Sequence, residues 1–350
     1  MPWIVTVLVF ILILGIIVFV HELGHFLWAK KFGVFIHEFS IGMGPVILNK
    51  KGKDGINYNV RLFPIGGFVS MAGEVYEDDE NVPKERYLCN KPVWQRLIVM
   101  AAGVVHNFIL AIILFFVVGL CWGSHKLTPI VDSVEEGLPM AEAGVVKGDR
   151  IIAINGHSIR TWDEAQIVLE FKNPNEYDLF KVKHVDGTID EYKITPIEVE
   201  LEGKMVPKYG VSINQDETFG IWNKIKYGFE KFASIVSSML LTVWGLISGK
   251  ISINALSGPV GIYGVVDQTV NLGFNYVLFL IAYLSVNVGV INILPFPAFD
   301  GGRIFFLIIE KIKGSPVNRK FENICHTIGF ILLMLLLIYV TIHDVGNLFH

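Results

Sequence analysis

Five consecutive residues, His21-Glu22-Leu23-Gly24-His25, place two histidines and a glutamate directly after a long uncharged run. Positions i and i+4 share one face of a helix, so His21 and His25 can bind one metal ion while Glu22 handles a proton. This pattern indicates metal-assisted hydrolysis with Zn²⁺. The alternative is a chance match that ends a transmembrane helix at the headgroups. We favour the metal site, because an ionisable residue inside a span costs about 2.5 to 3.5 kcal/mol.

The composition is that of a membrane protein. Of 350 residues, 52% are hydrophobic and 18% are charged, which is too apolar for one soluble domain. A net charge of -4 shows no basic excess that would suggest nucleic acid. The three cysteines, Cys89, Cys121 and Cys325, are too widely spaced to indicate a disulfide framework or a thiolate metal site.

Four uncharged segments are each near the roughly 20 residues that cross a bilayer. They are Pro2 to Val20, continuing as helix to about Ala29, then Leu97 to Trp122, Leu272 to Phe299 and Ile324 to Ile342. The first could be a cleaved signal peptide, but it lacks a basic n-region and a cleavage site, so we expect it to be retained.

Basic residues follow the first span and separate the third from the fourth, which places both loops in the cytoplasm. These residues are Lys30, Lys31, Arg303, Lys311, Lys313, Arg319 and Lys320. A fifth apolar stretch, 232–246, is short and follows a mixture of charged and aromatic residues. We interpret it as peripheral or re-entrant, since counting it as a span would place Arg303 outside.

Residues 35–70 alternate apolar and polar side chains around the turn 51–55, which predicts β-hairpins beside the membrane. Such strands either line a protein cavity, where an edge could capture an extended peptide, or form an ordinary cytoplasmic hairpin. Residues 124–212 have the composition of a soluble domain. Their segment Pro139 to Gly156 resembles the PDZ domains of bacterial proteases, in a single copy. The second span leaves the cytoplasm, so this domain is expected outside.

A zinc enzyme needs a third protein ligand. The candidate is Asp300 in the segment 292–302, Asn-Ile-Leu-Pro-Phe-Pro-Ala-Phe-Asp-Gly-Gly, at the cytoplasmic end of the third span. The alternative is that Asp300 only caps a helix. Pro295 and Pro297 break the helix and free backbone groups that could bind a substrate backbone.

Together, HELGH, the PDZ-like segment and the 292–302 motif resemble the site-2 protease family of intramembrane zinc metalloproteases, nearest to the bacterial regulator-of-sigma-E proteases. The resemblance implies cleavage within transmembrane segments of substrates that an upstream site-1 protease has shortened, such as anti-sigma factors or remnant signal peptides. It also implies His21, His25 and Asp300 as zinc ligands, Glu22 as general base and Asn292 as a substrate-holding amide. Gly103 and Asn107 match a family element that allows close helix packing or contacts substrate.

The predicted protein is a polytopic α-helical membrane protein of the bacterial inner membrane, with four transmembrane helices, a membrane-associated β-hairpin region and one inserted extracytoplasmic PDZ domain. Its parts are 1–123 with HELGH, 124–212 as the PDZ domain, 213–270 as a membrane-peripheral or re-entrant segment, and 271–350 with the Asp300 motif. We expect the active site near the cytoplasmic face.

Two other classes of protein remain open. A metal transporter would place His, Glu and Asp in membrane helices but needs neither HExxH spacing nor a PDZ domain. A membrane-bound PDZ adaptor with a dead metal site has no need for Glu22. The histidines expected to have no function are His37, His106, His125, His157, His184, His326, His343 and His350, and Ser257 to Gly261 is interpreted as a re-entrant turn.

Overall fold

The computed structural model describes residues 3–74, 82–173, 176–201, 204–213 and 216–347. The chain divides into two compact units, the first made of residues 1–114 and 256–350 and the second of residues 115–255. The second unit is wider than the predicted PDZ domain, since it also includes part of the predicted peripheral segment.

Nine α-helices occur in the described parts of the chain. They are α1 (Trp3–Lys31), α2 (Val93–Trp122), α3 (Pro139–Glu142), α4 (Trp162–Leu169), α5 (Ile221–Ile247), α6 (Pro259–Leu272), α7 (Phe274–Ile293), α8 (Asp300–Lys313) and α9 (Arg319–Asn347). By length and composition, five of the described helices could cross a membrane, namely α1, α2, α5, α7 and α9. Four of them overlap the spans predicted from the sequence, and α5 contains the stretch interpreted as peripheral.

The segments next to the predicted third and fourth spans differ from the prediction in three places. Helix α7 ends at Ile293 rather than at Phe299, because the prolines at 295 and 297 cannot continue it. The expected turn at 257–261 is instead the start of α6, with Pro259 in the first helical turn. The basic residues from Arg303 to Lys313 lie on α8 and not in a loop, because its apolar residues share one face and its charged residues the other.

The predicted hairpin is present as β1 (Ile36–Lys51) and β2 (Asn57–Met71). Residues 36–41 pair with 67–71, and 46–51 pair with 57–61, while 38–41 also pair with 57–60. Among the described strands, 67–71 therefore has a partner on one side only. Its other edge could pair with an added strand.

A buried apolar cluster joins this hairpin to the helices of the first unit. It includes Phe26 of α1, Phe39 of β1, Val99 of α2 and Leu307 of α8. Each of these side chains is at most 8% exposed. The cluster holds the ends of three helices and the sheet in a fixed arrangement, and the candidate site lies at those ends.

The described strands of the second unit are β3 (Ser124–His125), β4 (Val131–Val134), β5 (Arg150–Ile154), β6 (His157–Ser158), β7 (Asp178–Lys183), β8 (Ile189–Ile194), β9 (Ile197–Leu201), β10 (Lys204–Lys208), β11 (Val211–Ile213) and β12 (Glu217–Thr218). Four of them form one sheet in the order β6-β5-β7-β8. A tight turn follows strand β5, with φ of 49° at Asn155 and 78° at Gly156.

Helix α5 packs one polar face against α4 in this second unit. Lys231 Nζ lies 2.8 Å from both carboxylate oxygens of Asp163, and Ser234 Oγ donates to the same carboxylate at 2.5 Å. The Lys231 side chain is 9% exposed. The opposite face carries apolar side chains that are each at least 50% exposed, namely Trp222, Phe229, Leu240, Trp244 and Ile247.

Candidate metal centre

Three side chains from two helices converge at one point in the first unit. His21 and His25 lie one turn apart near the end of α1, and Asp300 is the first residue of α8. The Nε2 atoms of His21 and His25 lie 3.1 and 3.3 Å from Asp300 Oδ2, respectively, and 3.3 Å from each other. The structure thus brings together the three residues predicted as metal ligands.

The spacing of these donor atoms fits zinc. Tetrahedral zinc with bonds of about 2.0 to 2.1 Å holds its ligand atoms about 3.3 Å apart. The observed separations of 3.1 to 3.3 Å agree with that value. Asp300 Oδ2 is also buried without a hydrogen bond among the described residues, and a metal ion would satisfy it.

Asp300 has the ionisation state that a ligand needs. Burial of its carboxyl group opposes ionisation, but the neighbouring imidazole rings of His21 and His25 outweigh burial and hold the pKa of Asp300 below its usual range. A carboxylate, two imidazoles and a position for water form the donor set of catalytic zinc sites.

Residues of helix α2 contact the Nδ1 atoms of both histidine rings and so orient the rings. His25 Nδ1–H donates to the carbonyl oxygen of Val99 at 2.8 Å, which leaves the Nε2 lone pair directed at the metal position. Asn107 is fully buried, with its amide nitrogen 3.4 Å from His21 Nδ1 and its Oδ1 without a partner in the described structure. With the amide rotated by a half turn, Oδ1 would accept a hydrogen bond from the His21 Nδ1–H and leave the Nε2 lone pair of His21 directed at the metal position.

Glycines permit the close approach of α1 and α2. A Cβ atom at Gly103 would lie 2.4 Å from His25 Nε2 and 2.8 Å from His21 Nε2. One at Gly24 would lie 2.4 Å from the carbonyl oxygen of Ala102. Of the two roles predicted for Gly103 and Asn107, this placement favours close packing, since both residues are buried rather than on a surface open to a peptide.

The other predicted site residues, Glu22, Asn292 and Pro295, are more exposed than the two histidines. Glu22 is half-buried, and a Cβ at Gly67 would lie 3.3 Å from Glu22 Cγ, so the edge segment 67–71 passes beside this carboxylate. Asn292 is half-buried near the end of α7, and Pro295 is exposed in the following loop. Sequence reasoning missed the Val99 carbonyl and Gly67, because the sequence carries no signal of which distant backbone atoms face a helix.

The similarity of the chain to known proteins is extensive. Residues 9–336 match the sequence profile of peptidase family M50. The chain belongs to peptidase family M50. It is 34% identical to the zinc metalloprotease RasP of Bacillus licheniformis, over 98% of this chain and 99% of the relative. It is also 32% identical to the regulator of sigma-W protease RasP of Bacillus subtilis, over the same shares of the two chains.

These similarities confirm the predicted resemblance to the site-2 proteases and the prediction of a zinc metalloprotease. The protein is thus a bacterial integral membrane hydrolase that uses zinc. The roles of individual residues within this M50 peptidase, its topology and its substrates are developed below as proposals.

Proposed function

We propose that this M50 peptidase hydrolyses a peptide bond inside the transmembrane segment of single-span proteins that a site-1 protease has already shortened. The convergence of His21, His25 and Asp300 beside the segment 67–71 carries this proposal. The name of the Bacillus subtilis relative connects that protein with the regulation of sigma-W. That connection supports anti-sigma-factor-like substrates, and remnant signal peptides are the second class.

Glu22 is the proposed general base. Bound zinc supplies Lewis acidity, which lowers the pKa of water toward about 7 and polarises a carbonyl group. The Glu22 carboxylate accepts the proton of the attacking water and then delivers it to the nitrogen of the leaving amine. Since Glu22 follows His21 directly on α1, the helix fixes its carboxylate beside the metal position without making it a ligand.

A substrate helix must be unwound before it can be cut, because its peptide groups are hydrogen-bonded within the helix. The one-sided strand segment 67–71 can take over these bonds by adding the substrate as a further strand. Asn292 and the backbone groups near Pro295 are proposed to hold the substrate on the opposite side. The distance between Glu22 and Gly67 supports this arrangement, because a peptide on that edge would lie close to the base.

The proposed topology has four spans, α1, α2, α7 and α9, with the active site near the cytoplasmic face of the inner membrane and the PDZ domain outside. A cysteine at Thr188 should then react with an impermeant reagent applied to intact cells. A cysteine at Ser315 should react only after the membrane is opened. The reverse labelling pattern would contradict the topology.

Helix α5 is proposed to lie in the lipid headgroup region on the outer side of the inner membrane. The exposed apolar residues listed above fall within a stripe on the side opposite Lys231, as a rotation of 100° per residue requires. Lys224 Nζ donates to the Leu120 carbonyl at 2.9 Å, so α5 begins beside the end of α2. A span would place the Lys231–Asp163 pair and α4 in lipid, whereas an interfacial helix keeps them outside the hydrocarbon core.

The PDZ domain is proposed to exclude substrates that still carry a bulky outer domain. Replacing residues 128–197 by a flexible linker, together with Lys231→Ser to avoid an unpaired ammonium, should permit some cleavage of the full-length substrate and preserve that of the shortened one. A PDZ domain that instead recruits newly exposed C-termini predicts lower cleavage of the shortened substrate and no gain for the intact one.

Zinc stoichiometry and cleavage of a shortened single-span reporter, measured on the same purified enzyme in liposomes, test the proposed function. We expect about one zinc per chain and cleavage that chelation abolishes. Zinc transport without cleavage would indicate a transporter. Reporter binding without zinc or cleavage would indicate an adaptor.

A further inference from the structure

The loop between α7 and α8 determines where Asp300 enters the metal site. Within this loop Ala298 has φ of +89°, a conformation that costs a residue with a side chain roughly 1 to 2 kcal/mol. Such a conformation persists only where surrounding contacts hold it. Because Asp300 follows two residues later, these contacts also determine the position of its carboxylate.

Helix α9 contacts both the N–H and the C=O of the peptide group that joins Pro297 to Ala298. The backbone N–H of Ala298 donates to His326 Nδ1 at 3.0 Å. One turn further along α9, a Cβ atom at Gly329 would lie 2.4 Å from the carbonyl oxygen of Pro297. The backbone of α9 therefore approaches the loop closely enough for His326 to reach Ala298.

The hydrogen bond defines the state of the His326 ring. Nδ1 accepts a hydrogen bond from the Ala298 N–H, so the ring is neutral and its own proton is on Nε2. The ring lies 5.8 Å from that of Phe306 on α8, measured between centroids. His326 thus contacts both the loop before Asp300 and the helix that Asp300 begins.

We propose that His326 is a positioning residue for the zinc ligand Asp300. Its Nδ1 atom holds the left-handed peptide at Ala298, and this peptide directs the Asp300 carboxylate toward His21 and His25. The proposal rests on Asp300 being a zinc ligand, as proposed above, and does not depend on which peptide the enzyme cleaves.

Zinc affinity measured by chelator competition on the full-length enzyme in detergent tests this role. His326→Phe keeps the volume of the ring but removes the acceptor, and it should weaken zinc binding about tenfold, as is typical for residues that orient ligands. His326→Asn keeps an acceptor near the Nδ1 position and should restore most of the affinity. Thr327→Val, at the next position of α9, is the matched control and should bind zinc as the wild type does.

The opposite order, with His326→Asn weaker than His326→Phe, would mean that His326 only fills space and would overturn the proposal. Unchanged affinity in both variants would overturn it as well. If both substitutions weaken zinc binding equally, adding Ala298→Gly to His326→Phe tests the proposal further, because glycine adopts this φ without strain. Recovery in His326→Phe/Ala298→Gly supports the proposal, and no recovery refutes it. Asp300→Ala is measured in parallel, and normal zinc affinity there would show that the ligand assignment itself has failed.

Discussion

Substituting Gly103 by alanine should damage the metal site without removing any ligand. The added Cβ atom would lie 2.4 Å from His25 Nε2, whereas ordinary contacts begin near 3.4 Å. One ring or α2 must therefore move by about 1 Å, which is several times the deviation of about 0.2 Å that a zinc–ligand bond tolerates. We expect zinc affinity to fall by roughly 10- to 100-fold, comparable to the loss of a residue that orients a ligand.

The assay is chelator competition monitored by metal analysis, with Gly15→Ala as the matched control. Gly15 also lies within a membrane helix, but a Cβ atom there meets nothing within 4 Å. The control should keep wild-type zinc affinity, and its helix should gain stability by up to about 1 kcal/mol. If Gly103→Ala bound zinc as tightly as Gly15→Ala, the proposed packing of α2 against the two histidines would be refuted.

Two further substitutions test other parts of the structure. Asn107→Leu removes the amide beside His21 and should lower zinc affinity about tenfold in the same competition assay; an unchanged affinity would exclude an orienting role. Lys231→Met leaves the Asp163 carboxylate without its cation and should destabilise the second unit by about 3 kcal/mol, seen as a lower thermal midpoint. Lys226→Met, whose ammonium is exposed, should leave that midpoint unchanged, and equal midpoints for the two variants would contradict the buried ion pair.

The convergence of His21, His25 and Asp300 could be predicted because its signal is local. His21 and His25 are four residues apart on a helix, and Asp300 is the polar residue that follows an apolar span broken by proline. The hairpin was also predictable, since alternation and a glycine-containing turn are local features. What unites these predictions is that each depends on residues close together in the sequence.

The features that were missed depend on contacts between distant residues. The N–H groups of Gly258 and Gly261 both donate to Asp344 Oδ2 at 2.8 Å, so the start of α6 is capped by a side chain of α9. Likewise, His326 was expected to have no function, and only the fold places it against Ala298. No pattern near either residue indicates its partner.

The most direct test of the central claim is the mass of the products formed from a single-span substrate by the enzyme reconstituted in liposomes. The wild type should yield two fragments whose new ends lie within the apolar segment of the substrate. Glu22→Gln should yield neither fragment while it retains about one zinc per chain, because the proposed role of Glu22 is to move a proton and not to bind the metal. Fragments that end outside the apolar segment, or cleavage by Glu22→Gln at a rate near that of the wild type, would contradict the account.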